Sequence, residues 1–220
     1  MWEFVDKVVY INLDHRADRR EIMDRFFTEG QIPREKVIRF PAIRRNRGDT
    51  GATMSHAEVL RMAKREGWKN VLILEDDLVW NDLDQYKQLE ELVAKPDWNV
   101  IMLLGWYLTY DFPRVYSAAN AGAYLVNSNY YDTLLRNREE SIRNLTSYRK
   151  WTTVCGWKWN TDVWWVRLMQ KDVWYGVYPC ICRQTSTYSD ISKITYNAGG
   201  VHGINVGRGN LFDPIQNAKS

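Results

Sequence analysis

The sequence contains no apolar run of the roughly 18 to 20 residues that a membrane-spanning helix requires. Its first residues, Met1 to Asp6, show neither the basic region nor the apolar segment of a secretory signal peptide. Cysteine is scarce as well: Cys155, Cys180 and Cys182 are too few for a disulfide framework, and they lack partner ligands at the spacing of a zinc site. We therefore expect a cytoplasmic protein with no transmembrane segment, and peripheral contact with a membrane stays open.

A large excess of one charge is also missing. The 220 residues carry a net charge of +3 and the basic residues are dispersed, which argues against nucleic acid as a partner. A hydrophobic content of 45% beside 26% charged residues fits a single globular domain. Aromatic residues are abundant, with 11 Trp and 13 Tyr concentrated between Trp98 and Tyr196. Such side chains suit stacking on sugars or bases, although many of them must lie in the core.

One short segment, Val71 to Leu74, is typical of a buried strand and is followed by the carboxylates of Glu75, Asp76 and Asp77. In open α/β sheets ligands bind beyond the carboxyl ends of the strands, so these acids lie where a binding site is expected. Adjacent carboxylates raise one another's pKa unless a cation compensates, and a divalent cation that bridges them to a phosphate would do so. The alternative is a solvated acidic turn that caps the following helix.

The pattern of apolar residues predicts an α/β protein that opens with a βαβ unit. Strand 7–13 is followed by helix 16–29, with Asp14 as its N-cap and Gly30 at its end, and then by strand 36–40. Strands and helices continue to alternate along the chain. The remaining predicted elements are strands 98–104, 121–126 and 173–177, and helices 83–94, 128–134 and 161–169.

A polar loop and a helix are predicted between the second strand and the acidic strand. The loop, residues 43–51, contains three arginines and is expected either to contact a phosphate or to be a solvated loop. The spacing from Ser55 to Glu58 is that of a capping box, which predicts a helix from Ser55 to Gly67. His56, in the first turn of that helix, is expected to pack or cap rather than to bind a ligand. Near the end of the chain, residues 199–220 are rich in glycine and are expected to form a mobile loop.

Four stretches of the sequence form a combined pattern. They are residues 9–14 with Arg16, Arg19 and Arg20; Gly48 to Gly51 leading to Ser55 and His56; residues 72–77; and residues 121–126. A weaker pattern continues through Asp162, Pro179, Gln184 and residues 189–191. Together these stretches resemble glycosyltransferase family 25, the lipopolysaccharide and procollagen galactosyltransferase group. The resemblance implies one GT-A type domain over residues 1–198, with a Rossmann-like mixed sheet flanked by helices, and a tail, 199–220, that closes over the donor site.

The resemblance also implies an activity. A member of this family would be an inverting, metal-dependent glycosyltransferase that moves a hexose, galactose or glucose, from a UDP-sugar to a hydroxyl of a glycan or glycoconjugate acceptor. Residues 75–77 would form the Asp-x-Asp type motif, with Glu75 in place of its first aspartate. Glu75 and Asp77 would hold Mn²⁺ or Mg²⁺, with His202 as a further ligand. The residues expected to bind the nucleotide-sugar donor are Asn12, Leu13, Asp14, Arg16, Arg44, Arg47, Ser55, Glu75, Asp76, Asp77 and Arg208.

An inverting transfer also needs a base for the acceptor hydroxyl. Asp162 is the first candidate, because it opens a predicted helix among the tryptophans of residues 157–165, where an acceptor sugar is expected to stack. Asp190 is the alternative base. Asp162 has a second interpretation as an acid that complements the dipole at the start of its helix. A different functional class also stays open, namely a catalytically inactive family member that binds nucleotide sugars or glycans.

Overall fold

A mixed eight-stranded β-sheet forms the centre of the computed structural model, which describes residues 1–147, 157–186 and 188–191. The strands are β1 Lys7–Asn12, β2 Val37–Pro41, β3 Asn70–Glu75, β4 Leu78–Trp80, β5 Val100–Met102, β6 Trp106–Asp111, β7 Arg114–Ala119, β8 Ala123–Asn127, β9 Trp174–Gly176 and β10 Cys182–Gln184. The helices are α1 Ala17–Glu29, α2 Gly48–Arg65, α3 Tyr86–Val93, α4 Tyr131–Ser147, α5 Thr161–Trp164 and α6 Val166–Met169. The sheet has the strand order β2-β1-β3-β8-β5-β9-β7-β6, and β4 and β10 form a separate antiparallel ribbon.

The direction of the strands explains why the acids lie at one edge of the sheet. β1 pairs in parallel with both β2 and β3, and the four central residues of β3 are buried. β8 runs antiparallel between β3 and β5, so β1, β3 and β5 point the same way. The carboxyl ends of β1 and β3 therefore meet, which brings Asn12 next to the acids that follow Leu74.

The helices pack apolar side chains against the sheet. α1 buries Met23, Phe26 and Phe27, and α2 buries Val59 and Leu60. Each fully buried side chain of this size contributes about 1.5–3 kcal/mol through the hydrophobic effect. In the part of the chain that the structure describes, no helix is both long enough and apolar enough to cross a bilayer. The predicted fold class, a mixed α/β sheet flanked by helices, is confirmed.

Helix α2 begins at Gly48 and not at Ser55. The loop before it packs so closely on its first turn that a Cβ atom at Gly51 would lie 2.3 Å from the Ile43 carbonyl oxygen. The Ser55 hydroxyl donates a hydrogen bond to the Gly51 carbonyl (2.9 Å) and accepts one from the Ile43 amide (2.8 Å). The capping box predicted at Ser55 is therefore wrong, and this serine holds the preceding loop on the helix.

Two other helices begin differently from the prediction. α1 follows Arg16, whose side chain makes no capping hydrogen bond, so Asp14 is not its N-cap. The helix predicted to begin at Ser128 starts with a 3₁₀ turn over residues 128–130, and the side chain of Asn127 caps that turn. The chain then continues as α4 to its end at Ser147, well beyond the predicted end at residue 134.

Tertiary contacts also shorten or divide some predicted elements. The predicted helix 161–169 is divided into α5 and α6 around Trp165, whose indole N–H reaches the Ala118 carbonyl (3.0 Å) in the core. The predicted strand 98–104 is reduced to β5, because the two amides that follow it both donate to the Ala123 carbonyl. The sequence pattern does not predict the β6–β7 hairpin or the β4–β10 ribbon.

Candidate functional site

The three acids after β3 have different hydrogen-bond partners. Asp76 is buried, and its Oδ2 accepts a hydrogen bond from Asn12 Nδ2 at the end of β1 (2.7 Å). Glu75 and Asp77 share the side-chain amide of Gln184, at the end of β10. Gln184 Nε2 lies 3.0 Å from Glu75 Oε2 and 3.4 Å from Asp77 Oδ1. The ribbon and the central sheet thereby hold two carboxylates at one place.

The pKa values of Glu75 and Asp77 are both raised to about 7. Burial is the largest cause for both residues. The charges of Asp162 and Asp76 add to it for Glu75, and the charge of Glu75 adds to it for Asp77. The guanidinium of Arg19 lowers both pKa values but does not offset these effects. The pair therefore lacks positive charge at neutral pH, which a bound cation would supply.

Arg19, in the first turn of α1, connects the acids to a distant segment. Its Nη1 lies 2.5 Å from Asp76 Oδ1, and its Nη2 lies 3.2 Å from Asp77 Oδ2. Nη2 also donates to the Tyr188 carbonyl (3.0 Å). One guanidinium thus touches two of the three acids and the segment of residues 188–191.

Asp190 is held by neighbouring basic residues. Arg16 Nη1 donates to its Oδ2 (2.7 Å) and to the Tyr188 carbonyl (3.1 Å), and His15 Nε2 lies 3.5 Å from its Oδ1. Burial raises the pKa of Asp190, but the hydrogen bonds and charges of Arg16 and His15 outweigh it, so the pKa is lowered overall. A carboxylate with a lowered pKa is a weaker proton acceptor.

Asn120 joins Asp162 to the acid pair. Its backbone φ is 81°, in the left-handed region. Its amide N donates to Asp162 Oδ2 (3.1 Å), its Nδ2 donates to Gln184 Oε1 (3.0 Å), and its Oδ1 accepts from the Gly122 amide (2.8 Å). Residues other than glycine keep such a conformation only where their surroundings determine it, and they are enriched at functional sites. Asp162 and Glu75 therefore belong to one hydrogen-bonded network.

A buried histidine lies beside Glu75. His56 Nε2 is 3.8 Å from Glu75 Oε1, and its Nδ1 is 2.8 Å from the Tyr124 hydroxyl. The pKa of His56 is lowered to about 3, mainly by burial and then by the charge of Arg138, while the charge of Asp162 opposes both effects. His56 is therefore uncharged at neutral pH and does not form an ion pair with Glu75. It packs in the interior, as the sequence predicts.

Arg138, on α4, positions the start of α5. Its side chain is fully buried, Nη1 donates to the Thr161 carbonyl (2.5 Å), and the guanidinium lies 4.8 Å from the ring centre of Trp165. Its Nε and Nη2 have no hydrogen-bond partner among the described residues. Burial lowers the pKa of Arg138, and Tyr124, followed by the charge of Asp162, opposes that shift. Because Thr161 directly precedes Asp162, this guanidinium fixes the backbone that carries the candidate base.

Glu75 and Asp77 fit a divalent cation that is completed by other ligands. Within residues 1–147, 157–186 and 188–191, no three or more His, Cys, Asp or Glu side chains are grouped as metal ligands. The Glu75 side chain is 30% exposed and that of Asp77 13%, so ligands can reach both. Mg²⁺ commonly takes one or two carboxylates plus substrate phosphate oxygens, and Mn²⁺ accepts the same ligands. The predicted ligand His202 lies outside the described residues.

The predicted donor-binding residues of the first strand and of α2 have different surroundings. Asn12 is buried and contacts Asp76, whereas Leu13 is half-buried. The Asp14 side chain is 80% exposed and pairs with Arg39. Ser55 is buried within α2, where both hydrogen-bonding functions of its hydroxyl are used by the backbone. Of these four, Asn12 is the one that the described contacts bring to the acids.

The predicted arginines Arg44 and Arg47 precede the start of α2 and differ in exposure, since Arg47 is partly buried. Arg44 is exposed. Arg47 Nη2 pairs with Asp49 (2.7 Å), and its Nη1 donates to the Leu145 carbonyl (3.3 Å). Arg208 lies outside the described residues. A phosphate-binding role for these arginines stays a prediction.

The tryptophans after Asp162 pack inward. Trp165 has none of its surface exposed. Trp164 is half-buried, the guanidinium of Arg167 lies 3.8 Å from its ring centre, and its indole N–H donates to Glu140 (3.2 Å). The expectation that an acceptor sugar stacks on this cluster is therefore wrong for Trp165.

Three residues that complete the site have no role that the sequence itself indicates. Arg19 and Gln184 belong to the pattern described above, but their acidic partners are 57 and 109 residues away along the chain. Asn120 directly precedes the stretch at residues 121–126. Its one local signal is that asparagine tolerates the left-handed conformation better than most residues.

Comparisons with known proteins identify the fold but no family. No protein-family model matches the chain, and no curated protein matches its sequence. The crystal structure of A197 from STIV is similar, with a TM-score of 0.51 at 12% sequence identity, over 89% of this chain and 96% of that one. A glycosyltransferase involved in the glycosylation of the major capsid of PBCV-1 has a TM-score of 0.48 at 10% identity, over 77% of this chain and 80% of that one.

A third solved structure, 4-diphosphocytidyl-2C-methyl-D-erythritol synthase from Anaerococcus prevotii, has a TM-score of 0.43 at 11% identity. The match covers 85% of this chain and 76% of that one. At 12% identity the similarity to A197 supports a shared fold and nothing finer. The resemblance to glycosyltransferase family 25 stays a prediction.

Proposed function

We propose that this chain is an inverting, metal-dependent glycosyltransferase that moves a hexose from a UDP-sugar to a hydroxyl of a glycan or glycoconjugate. One observation carries the proposal. Glu75 and Asp77 are held together by Gln184 at the carboxyl end of a central strand, and their pKa values are raised by burial and then by neighbouring carboxylates. A divalent cation bound with a nucleotide sugar would compensate these carboxylates at the edge of the sheet where α/β proteins bind ligands.

Glu75 and Asp77 are the residues that would hold the cation. When bound, the cation would neutralise the charge that develops on the departing nucleoside diphosphate. Asn12 supports this arrangement, because its hydrogen bond keeps Asp76 turned into the protein. The residues proposed for the donor are those on the loop after β1, with Arg16 beside them, and the arginines of residues 44–47.

Asp162 is proposed as the base. The acceptor oxygen attacks the anomeric carbon, the bond from that carbon to the diphosphate oxygen breaks, and the hydroxyl proton passes to the Asp162 carboxylate. The Asn120 amide holds Oδ2 of this carboxylate (3.1 Å), and Arg138 holds the preceding carbonyl. These contacts hold one oxygen of the carboxylate and the backbone before it, and such positioning favours proton transfer. Asp190, whose pKa is lowered by Arg16 and His15, is the less suitable alternative.

A thermal-shift experiment tests the proposal. UDP-galactose, UDP-glucose and UDP are added with and without Mn²⁺, and a ligand at 100 times its Kd should stabilise the folded protein by about 2.7 kcal/mol. We expect a nucleotide-dependent shift in the melting temperature only when Mn²⁺ is present. No shift with any nucleotide in Mn²⁺ would contradict the proposal. Release of UDP from the sugars that stabilise the protein then identifies the donor.

A catalytically inactive binding module is the second candidate. The observation that favours it is the contact of Arg19 with both Asp76 and Asp77, which already supplies part of the missing charge. Such a module would bind a nucleotide sugar without Mn²⁺ and would release no UDP. The same thermal shifts, together with a UDP-release assay, separate the two functions.

A further inference from the structure

Among the described residues, Arg19 is the charged cation in direct contact with the acids at the end of β3. Arg19 reaches Asp76 with Nη1 (2.5 Å) and Asp77 with Nη2 (3.2 Å). The basic neighbour of Glu75 is His56, whose Nε2 lies 3.8 Å from Glu75 Oε1 and whose Nδ1 contacts the Tyr124 hydroxyl (2.8 Å) in the interior. Arg19 therefore compensates the same charge that a bound divalent cation would compensate.

The position of Arg19 makes this compensation specific. Its side chain is only 11% exposed, and Nη2 is shared between Asp77 and the Tyr188 carbonyl. The next arginine along α1, Arg20, donates to Asn12 Oδ1 (3.3 Å) and to the Asp14 carbonyl (2.9 Å). The two adjacent arginines on one helix turn thus contact different partners: Arg19 contacts the acids, and Arg20 contacts the end of β1 and the loop after it.

We propose that Arg19 is a built-in counter-cation that competes with a divalent cation for Asp77 and releases the Tyr188 carbonyl when that cation binds. The inference rests on the proposed function, because it assumes that Asp77 receives a metal. A guanidinium and a divalent cation on one carboxylate repel each other, and a buried site screens this repulsion poorly. The binding of a cation is therefore expected to move Arg19 Nη2 away from Asp77. Because the same Nη2 atom donates to the Tyr188 carbonyl, this movement also loosens the contact with the segment of residues 188–191.

A titration with Mn²⁺ alone tests the competition. Free Mn²⁺ is measured by electron paramagnetic resonance, without nucleotide, for the wild type, Arg19→Met and the matched control Arg20→Met. We expect Arg19→Met to bind Mn²⁺ roughly tenfold more tightly, within the range of about 5–150-fold that is usual for coupling between sites. Arg20→Met should bind Mn²⁺ as the wild type does. Equal or weaker binding by Arg19→Met would overturn the inference.

A second variant and a second measurement cover the case in which Arg19→Met does not fold. Arg19→Lys keeps the charge but lacks the planar guanidinium that can contact two carboxylates. Its Mn²⁺ affinity should therefore lie between those of the wild type and Arg19→Met. Hydrogen exchange of the backbone amides of residues 188–191 should quicken when Mn²⁺ is added to the wild type. Unchanged exchange in the wild type at saturating Mn²⁺ would contradict the release of Tyr188.

The outcomes distinguish this inference from the proposed function. If Mn²⁺ binds the wild type and Arg19→Met equally, the metal site stands and the role of Arg19 falls. If Mn²⁺ alone binds neither the wild type nor any variant, this inference falls, and the metal site is decided separately by the thermal shifts with nucleotide and Mn²⁺ together.

Discussion

Replacement of Asp77 by asparagine should stabilise the metal-free protein at alkaline pH. The pKa of Asp77 is raised from 3.8 to about 7, mainly by burial and then by the charge of Glu75. A group whose pKa is higher in the folded state destabilises that state once it ionises, so the penalty grows between pH 4 and pH 7 and is complete above pH 7. Three pKa units correspond to about 4 kcal/mol. Asp77→Asn keeps the size of the side chain and removes this penalty.

This penalty is already net of the Arg19 contact, because the guanidinium of Arg19 lowers the pKa that burial and Glu75 raise. Asparagine accepts the hydrogen bond from Gln184 but does not pair with Arg19, which keeps Asp76. We therefore expect Asp77→Asn to raise the free energy of unfolding by about 4 kcal/mol at pH 8. The gain should decrease on acidification and vanish near pH 4, below which the wild-type carboxyl is protonated in both the folded and the unfolded state.

Urea unfolding at pH 8, 6 and 4 in the presence of EDTA measures this difference. Asp18→Asn is the matched control, because Asp18 is an aspartate whose pKa is lowered to about 2 by its hydrogen bond with Arg16. That substitution should reduce stability at pH 8, the opposite sign. If Asp77→Asn were less stable than the wild type at pH 8, the charge deficit at the site would be refuted.

The remaining predictions concern activity and binding. Asp77→Ala should abolish both transfer and Mn²⁺-dependent donor binding in a fold that circular dichroism finds intact, and near wild-type turnover would remove the metal assignment. Alanine in place of the arginines at 44–47 or of Arg208 should weaken the affinity for UDP and for UDP-sugar alike. Calorimetry should find a smaller loss at higher salt, because salt screens exposed charges. Unchanged affinity at low salt would mean that the loop of residues 43–51 and the segment of Arg208 are solvated and do not contact the phosphates. Asp162→Asn should lower turnover roughly 10²- to 10⁴-fold with donor affinity preserved, whereas a parallel loss of donor affinity would move the base to Asp190.

The sequence predicts those parts of the fold that depend on local pattern. The apolar runs of β1 and β3 and the helical spacing of Met23, Phe26 and Phe27 in α1 each form the element expected of them. The start of α2 is mispredicted because the signal at Ser55 is local, whereas the actual start depends on a loop that packs against Gly51. Without the contact between that loop and Gly51, the sequence does not show that the pattern at Ser55 lies inside a helix and not at its start.

The same distinction applies to the candidate site. Glu75 and Asp77 are visible in the sequence because they follow an apolar strand directly. Their partners Arg19 and Gln184 are not, since each lies on another element and reaches the acids only in the folded chain. Asn120 is harder still, because its contribution depends on a backbone conformation that no neighbouring residue signals.

The β4–β10 ribbon has a consequence for the order in which the protein forms during synthesis. Gln184 follows Glu75 and Asp77 by 109 and 107 residues, and the Thr185 amide donates to the Asp77 carbonyl (2.7 Å). The strands β1, β2 and β3 leave the ribosome long before these partners do, and contacts between residues so distant in sequence form late in folding. A nascent chain that ends before β10 therefore carries its acids without the amide that holds them together. The candidate site is completed only when nearly all of the described chain has been made.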